Sequence, residues 1–195
     1  MAEETVNSVD RPSIEQLRKE LKRVNNKKEY RKVLRNTLIV VVVVAALAVL
    51  VSSFFVTVLK VTGDSMTPTL ETGDIVIAQN QSTFEPGDLL AFYYNNKVLV
   101  KRVLGSPGDW VNIDSEGDVY VNGVLVEEPY ASEKSLDPTD IEFPFQVPEN
   151  RFFVLGDHRN VSIDSRSSVV GCVTREQLIG KVIFRVYPFN CFGGL

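Results

Sequence analysis

The chain has few side chains that could carry out covalent chemistry. It contains one histidine, His158, so any Ser-His-Asp arrangement must use that residue. The sequence has no cluster of metal-ligand residues, no GxSxG elbow and no phosphate-binding loop. Neither of the two cysteines, Cys172 and Cys191, has a histidine nearby that would indicate a cysteine nucleophile. A serine hydroxyl deprotonated by a lysine amine is the chemistry that remains.

Lys101 is the lysine whose surroundings best suit a base. A lysine must lose about three pKa units to act as a base near neutral pH, and burial among apolar groups is the effect large enough. Lys101 lies in the apolar run 98–104 (VLVKRVL), a pattern typical of a strand buried on both faces. By contrast, Lys97 and Lys134 lie among polar residues. A lysine whose amine reaches solvent at a strand edge remains the alternative.

Ser65 is the candidate nucleophile. It lies in residues 61–70 (VTGDSMTPTL), where Gly63 and Pro68 bracket a turn. Such a turn would present the hydroxyl and leave the backbone N–H of Ser65 free. A serine in a turn is also common without any catalytic role, so this segment alone leaves both interpretations open.

A long apolar run precedes these residues. Residues 37–59 (TLIVVVVVAALAVLVSSFFVTVL) contain 23 residues and no charge. As a helix they would extend for about 35 Å, enough to cross a hydrocarbon core of about 30 Å. A cleaved signal sequence would have a shorter apolar region closer to the N-terminus. The run therefore predicts a transmembrane helix over 37–59.

The charge distribution predicts an orientation for this helix. Residues 1–36 contain ten Lys/Arg against six Asp/Glu, and residues 37–195 contain eleven against nineteen. The positive-inside rule places 1–36 in the cytoplasm and 60–195 on the outer face of the cell membrane. Residues 13–35 have a helical pattern with a narrow apolar stripe. This segment is either a helix bound to anionic lipid or a solvated leader to the anchor.

The segment after residue 60 is predicted to be mainly β, forming an antiparallel sheet domain. Short runs of Val, Ile, Phe and Tyr alternate with Gly, Pro and Asp. The clearest hairpin joins 119–121 to 124–126 through Asn122-Gly123. Residues 127–148 are acidic and proline-containing, which predicts a small external excursion and the most mobile part of the domain.

Four segments resemble motifs of type I signal peptidases. Residues 63–70 (GDSMTPTL) resemble the nucleophile motif of that family, and residues 101–109 (KRVLGSPGD) its lysine motif. Residues 156–166 (GDHRNVSIDSR) are similar to its C-terminal signature, and residues 73–76 (GDIV) match the segment between the first two motifs. They follow in the family's order behind one apolar run.

The resemblance implies roles for five residues. Ser65 would attack the scissile carbonyl, while Lys101 would accept its proton and later return it to the leaving amine. Ser162 matches a serine that orients the lysine, and Asp164 and Arg166 match a structural pair near the site. The backbone N–H of Ser65 would meet the oxyanion.

Two positions depart from the family pattern. Gly63 stands where some members have a serine that gives the oxyanion a second hydrogen bond, so a backbone N–H, a water or Thr62 would have to replace it. His158 stands where the family often has Asn. The resemblance makes His158 structural, and a Ser65–His158 pair supported by Asp157 or Asp164 remains the rival.

The resemblance also implies substrates and partners. These are exported preproteins cut after small residues, the lipid bilayer and the neighbourhood of the protein-export channel. An extended substrate would contact Asp64 and Met66. No cofactor and no metal are implied, and the acidic outer domain makes nucleic acid an unsuitable partner. The sequence leaves open whether Cys172 and Cys191 pair.

Other functions fit the residues less well. A Ser-Lys protease dedicated to few substrates is one alternative, and a self-cleaving repressor-type domain is another. The repressor type should be soluble and carry a DNA-binding region, which the apolar run disfavours. A catalytically silent, membrane-tethered β domain is the alternative outside enzymes, and the joint presence of Ser65, Lys101 and Ser162 disfavours it.

Overall fold

A computed structural model of the chain describes residues 13–195 except 82, 135, 137 and 138, and only the backbone of residue 53. The chain divides into two units, one ending at Val51 and the other formed by Ser52–Leu195. The sequence also predicts that residues 1–12 are disordered, but they lie outside the described residues. The second unit contains all the candidate site residues.

One helix, α1 (Ile14–Phe55), contains both the basic segment and most of the apolar run. Its N-terminus has the reciprocal hydrogen bonds of a capping box: Ser13 N–H donates to Gln16 Oε1 at 2.8 Å, and Gln16 N–H donates to Ser13 Oγ at 3.3 Å. By length and composition, Ile14–Ser52 could cross a membrane. The prediction of helix as far as residue 59 is wrong, because residues 56–59 belong to a strand.

The second unit is an antiparallel β domain, which confirms the predicted fold class. Its strands are β1 (Val56–Lys60), β2 (Ile75–Gln79), β3 (Leu89–Tyr94), β4 (Lys97–Gly105), β5 (Trp110–Ile113), β6 (Val119–Val121), β7 (Val124–Leu125), β8 (Phe145–Gln146), β9 (Arg151–Leu155), β10 (Val173–Thr174), β11 (Leu178–Tyr187) and β12 (Gly193–Gly194).

The strands form two sheets. The larger sheet has eight strands in the order β1-β2-β11-β3-β4-β9-β10, with β12 also paired to β11. The smaller has four strands in the order β7-β6-β5-β8. Asn122 and Gly123 have φ values of 53° and 81°, so both residues adopt the left-handed conformation of the predicted two-residue hairpin turn.

Strand β4 changes character along its length. Its first half is exposed or half-buried, whereas Lys101–Gly105 are all buried. Lys101 pairs with Leu90 of β3, and β9 joins the other edge of β4 only from Arg102 onward. Residues 98–100 therefore have no β9 partner on that edge, which leaves backbone groups available beside the candidate lysine.

Residues 127–148 are tied to the domain more closely than their composition indicates. Phe145 and Gln146 form β8, and Val147 is buried in a cluster with Leu104 and Phe153. Ile141 and Phe143 pack against the same cluster. The apolar residues at the end of this segment thus belong to the core of the smaller sheet.

Candidate active site

Lys101 has the burial predicted from its apolar strand. The residue is 2% exposed, and desolvation lowers the pKa of its amine from 10.5 to about 8. The carboxylates of Asp164 and Asp157 act in the opposite direction and raise this pKa, while Arg166 lowers it. Burial outweighs the two carboxylates, so about a tenth of the amine is neutral at pH 7.

The amine of Lys101 has a serine partner. It donates a hydrogen bond to Ser162 Oγ at 2.8 Å. This contact crosses 61 residues of sequence and joins β4 to the loop 156–166, which follows β9. We call residues 156–166 the catalytic loop. Among the described residues, the amine makes no hydrogen bond to Ser65. In enzymes without bound substrate, the hydrogen bond between base and nucleophile is often long and shortens only when substrate binds.

Gly156 brings the serine turn and the catalytic loop together. A Cβ built on Gly156 would lie 2.6 Å from the carbonyl oxygen of Ser65 and would also collide with the side chain of Ser162. The backbone N–H of His158 donates to the same Ser65 carbonyl at 3.2 Å. The absence of a side chain at residue 156 thus places Ser65, Ser162 and, through Ser162, Lys101 around one point.

The catalytic loop is closed by the pair Asp164–Arg166. Arg166 Nε donates to Asp164 Oδ1 at 2.8 Å, and the backbone N–H of Gly156 donates to Asp164 Oδ2 at 3.0 Å. Both side chains are almost completely buried. Burial opposes ionisation of Asp164, but the hydrogen bonds and charge of Arg166 offset it, and the pKa of Asp164 is lowered.

A second buried pair supports the loop from β4. Arg102 donates to both oxygens of Asp157, at 2.9 Å from Nε and 2.6 Å from Nη2. Asp157 also accepts a hydrogen bond from Thr69 Oγ1 at 2.5 Å. Asp157 pairs with Arg102 and Asp164 pairs with Arg166, and among the described residues neither carboxylate hydrogen-bonds the His158 ring.

The His158 ring lies beside the serine turn. Its ring Nδ1 lies 3.2 Å from the carbonyl oxygen of Asp64, and the residue is half-buried. Together with Asp64 and Glu71 it lines an open depression. Asp64 itself accepts a hydrogen bond from Thr72 Oγ1 at 3.0 Å.

A shallow groove runs past Ser65. One wall is formed by residues 59–63, and the other by residues 98–100 at the partnerless edge of β4. Met66 also lines the groove and is itself only 2% exposed. Ser65 is half-buried at this groove, and its backbone N–H has no acceptor among the residues that the structure describes.

The backbone N–H of Gly63 is not free to replace the missing oxyanion donor. It donates to Thr72 Oγ1 at 2.9 Å. Thr62 is exposed and lines the same groove as Ser65. Its hydroxyl therefore remains a candidate for the second oxyanion donor.

Sequence reasoning missed several residues that hold the site. These are Thr69, Glu128, Tyr130, Asp157 as the partner of Arg102, and Arg159. Their contacts connect positions far apart in the chain, so no local pattern signals them. The two cysteines are separate free thiols, Cys172 buried and Cys191 exposed.

Comparisons with known proteins identify the family of this chain. Residues 34–187 match the family described as signal peptidase, peptidase S26. Signal peptidase I S of Bacillus subtilis is 36% identical over 156 residues, which is 74% of this chain and 84% of the relative. Signal peptidase IB of Staphylococcus aureus is 37% identical over 163 residues, 73% of this chain and 84% of the relative.

One solved structure is also similar. A crystal structure of a signal peptidase I from Enterococcus faecalis has 30% sequence identity and a TM-score of 0.42. The match covers 51% of this chain and 96% of that chain.

The class of the protein follows from the family match. The protein is a serine endopeptidase, a hydrolase. The chain belongs to the signal peptidase family, peptidase S26, and removes signal peptides from preproteins as a type I peptidase. The apolar helix and the family together indicate an enzyme anchored in a membrane.

Proposed function

We propose that this peptidase works by a Ser-Lys dyad in which Ser65 is the nucleophile and Lys101 the general base. The observation that carries the proposal is the burial of the Lys101 amine, which lowers its pKa to about 8. A base with a pKa near the working pH has the best compromise between being neutral and being able to accept a proton. Ser162 is the positioning residue that holds the amine by its 2.8 Å hydrogen bond.

The reaction has two halves. Lys101 takes the proton of the Ser65 hydroxyl as the Ser65 oxygen bonds to the scissile carbonyl carbon. The negative oxygen that results is met by the free N–H of Ser65, with Thr62 as the candidate second donor. The carbon–nitrogen bond then breaks, and Lys101 gives its proton to the leaving amine. Water attacks the ester with Lys101 again as base, which releases the signal peptide and restores Ser65.

The groove provides the substrate path. An extended chain between residues 59–63 and 98–100 would add a strand at the partnerless edge of β4. Met66 and Val61 are buried side chains that line this groove, so the substrate residues facing them should be small. Asp64 lies on the other side of Ser65, in the depression with His158.

The orientation in the membrane is part of the proposal. Nine Lys/Arg lie between Arg18 and Arg35, whereas Lys60 is the first base after the apolar run. This places residues 1–36 in the cytoplasm and 60–195 on the outer face, where preproteins emerge near the export channel. Helix α1 ends at Phe55, and only a short piece of chain, which contains β1, separates it from Ser65. The site would therefore lie close to the membrane surface.

Three substitutions test the dyad against the histidine alternative. Ser65→Ala and Lys101→Ala should each abolish cleavage of a detergent-solubilised preprotein at its signal site. His158→Asn should leave cleavage near the wild-type rate, because the His158 ring contacts only a backbone carbonyl among the described residues. A loss in His158→Asn as large as that in Lys101→Ala would instead support a Ser65–His158 pair.

A further inference from the structure

The catalytic loop has a support from outside the motifs that define the site. Arg159, on the loop, is buried and needs a carboxylate partner. That partner is Glu128, which lies in segment 127–148. Arg159 Nη1 donates to Glu128 Oε2 at 3.0 Å, and Nη2 donates to Oε1 at 2.5 Å. The exposed fraction of the Glu128 side chain is 12%, and that of Arg159 is 2%.

The pair is connected to the reacting groups by a short series of contacts. Arg159 Nε donates to the carbonyl oxygen of Gly156 at 3.0 Å. Gly156 is the residue packed against Ser162 and the backbone of Ser65. Ser162 in turn holds the Lys101 amine. A carboxylate on a separate segment thus fixes the backbone that places both members of the dyad.

Further contacts hold the same segment against the loop. Tyr130 donates from its hydroxyl to Glu128 Oε1 at 3.3 Å, and its ring lies 3.9 Å from the Arg102 guanidinium carbon. The backbone N–H of Ser132 donates to the carbonyl oxygen of Asp157 at 3.2 Å. Glu128 is therefore held in place before it meets Arg159, as a positioning group must be.

We propose that Glu128 is a positioning residue of this peptidase, acting through Arg159 to keep the catalytic loop closed over the Lys101 amine. The inference rests on the proposed Ser-Lys dyad. A loop that loosens would admit water to the amine, reduce its desolvation and return its proton affinity toward that of an ordinary lysine. The enzyme would then lose activity at neutral pH and recover it at higher pH.

The direction of the pH shift separates positioning from direct electrostatics. Removing a carboxylate charge, or leaving the Arg159 charge unpaired, would lower the pKa of a nearby lysine. Loss of closure would raise it. The charges that act on the amine are those of Asp157, Asp164 and Arg166 on the loop. The other charged or titratable groups on the elements around it are His158 and Arg159 on the loop, Lys97 and Arg102 on β4, and Asp64 on the serine turn.

The test compares Glu128→Gln with a matched control in the full-length enzyme in detergent. Lys134→Met removes an ion pair of the same segment, with Asp118, and among the described residues neither partner hydrogen-bonds the catalytic loop. We expect kcat/KM for a signal-site peptide to increase with pH. The midpoint of this increase should lie at a higher pH in Glu128→Gln than in wild type or Lys134→Met. Each unit of upward shift lowers kcat/KM at pH 7 about tenfold. The shift should persist in the His158→Asn background, which removes the only histidine.

Two further measurements keep the result decisive. If Glu128→Gln does not fold, as judged by its melting temperature, Glu128→Asp should fold and show a smaller upward shift. NMR titration of the Lys101 side chain in Ser65→Ala reads the same shift without any activity.

An unchanged or downward shift in the folded variant overturns the role of Glu128 while Lys101→Ala remains inactive. Activity in Lys101→Ala would overturn the dyad itself.

Discussion

In the proposed dyad, Lys101 can act as a base because of what surrounds it. Lys101 and Lys97 are on the same strand, yet Lys97 is exposed and Lys101 is buried. The strand places the Lys101 amine under the catalytic loop, where the amine donates one hydrogen bond to Ser162 and apolar packing excludes water. The neighbouring Arg102 points to the other face and finds Asp157, so a full charge is tolerated one residue away.

The depressed pKa of Lys101 makes a prediction about stability. Below pH 8 the amine is protonated in both the folded and the unfolded chain, so the folded state bears the whole cost of the buried charge. Between pH 8 and 10.5 the folded chain loses the proton first, and stability contributed by this group rises with pH. The cost at pH 7 is on the order of 3 kcal/mol, at about 1.4 kcal/mol per pKa unit.

Replacing Lys101 by Met should therefore stabilise the inactive protein. Met has a similar length and no charge, and the lost hydrogen bond to Ser162 offsets about 1 kcal/mol. We expect Lys101→Met to raise the free energy of unfolding by about 2 kcal/mol at pH 7, with the gain shrinking toward pH 10.5. Denaturant unfolding at both pH values measures it, with the exposed Lys97→Met as control. A Lys101→Met protein no more stable than wild type at pH 7 would contradict the assignment of a costly buried amine.

At the scale of elements, Gly156 is as important as the strands for bringing the site residues together. The catalytic loop approaches the serine turn so closely that residue 156 has no room for a methyl group. Because the obstructing atoms include the backbone carbonyl of Ser65, the clash cannot be relieved by a side-chain rotation. The loop, the turn or both must move.

Gly156→Ala should separate the two halves of the dyad. We expect kcat for signal-site cleavage to fall by about a hundredfold or more, since displacements near 1 Å have effects of that size. Stability should fall by about 1–3 kcal/mol from overpacking. Gly193→Ala is the control, because a Cβ built on Gly193 of β12 meets no atom within 4 Å. Equal kinetics in the two variants would show that Gly156 is not a point of close approach.

Some elements of the fold can be predicted from the sequence and others cannot. The Asn122-Gly123 hairpin follows from a local pattern, because strand and turn residues act over a few positions. The end of α1 does not. Residues 56–59 continue the apolar run, but they pair with β2 in a register that includes Thr57 with Ala78 and Leu59 with Val76. Tertiary pairing overrides a hydropathy pattern that continues unchanged across the boundary.

The site shows the same division between local and non-local information. The apolar strand around Lys101 and the turn around Ser65 indicate these two residues, and the resemblance to family motifs adds Ser162. Glu128 lies in an acidic segment whose composition indicates a solvated excursion. Only the fold brings it to Arg159, 31 residues further along the chain. Buried ion pairs of this kind carry no periodic signal in a single sequence.

At the scale of the whole molecule, we expect the apolar helix to affect how fast the enzyme captures its substrate. A signal peptide is itself apolar and resides in the bilayer before cleavage. An enzyme anchored in the same bilayer meets this substrate at a high effective concentration and searches a plane instead of a volume. Anchoring should thus lower the apparent KM for membrane-embedded preproteins and leave the chemical step at Ser65 unchanged.

Removing residues 1–51 tests this division of labour, since Ser52–Leu195 forms a unit of its own. On a water-soluble peptide with a signal-cleavage site, kcat/KM of the shortened enzyme should stay within about twofold of the full chain, because the groove and the buried amine belong entirely to the retained unit. On a preprotein embedded in vesicles, kcat/KM should fall by about a hundredfold through KM, as expected when a tether is lost. Ser65→Ala in the shortened chain supplies the background rate for both substrates. An equal loss on the two substrates would mean that the helix supports the fold of the catalytic unit, and no loss on either would mean that membrane attachment contributes nothing to substrate capture.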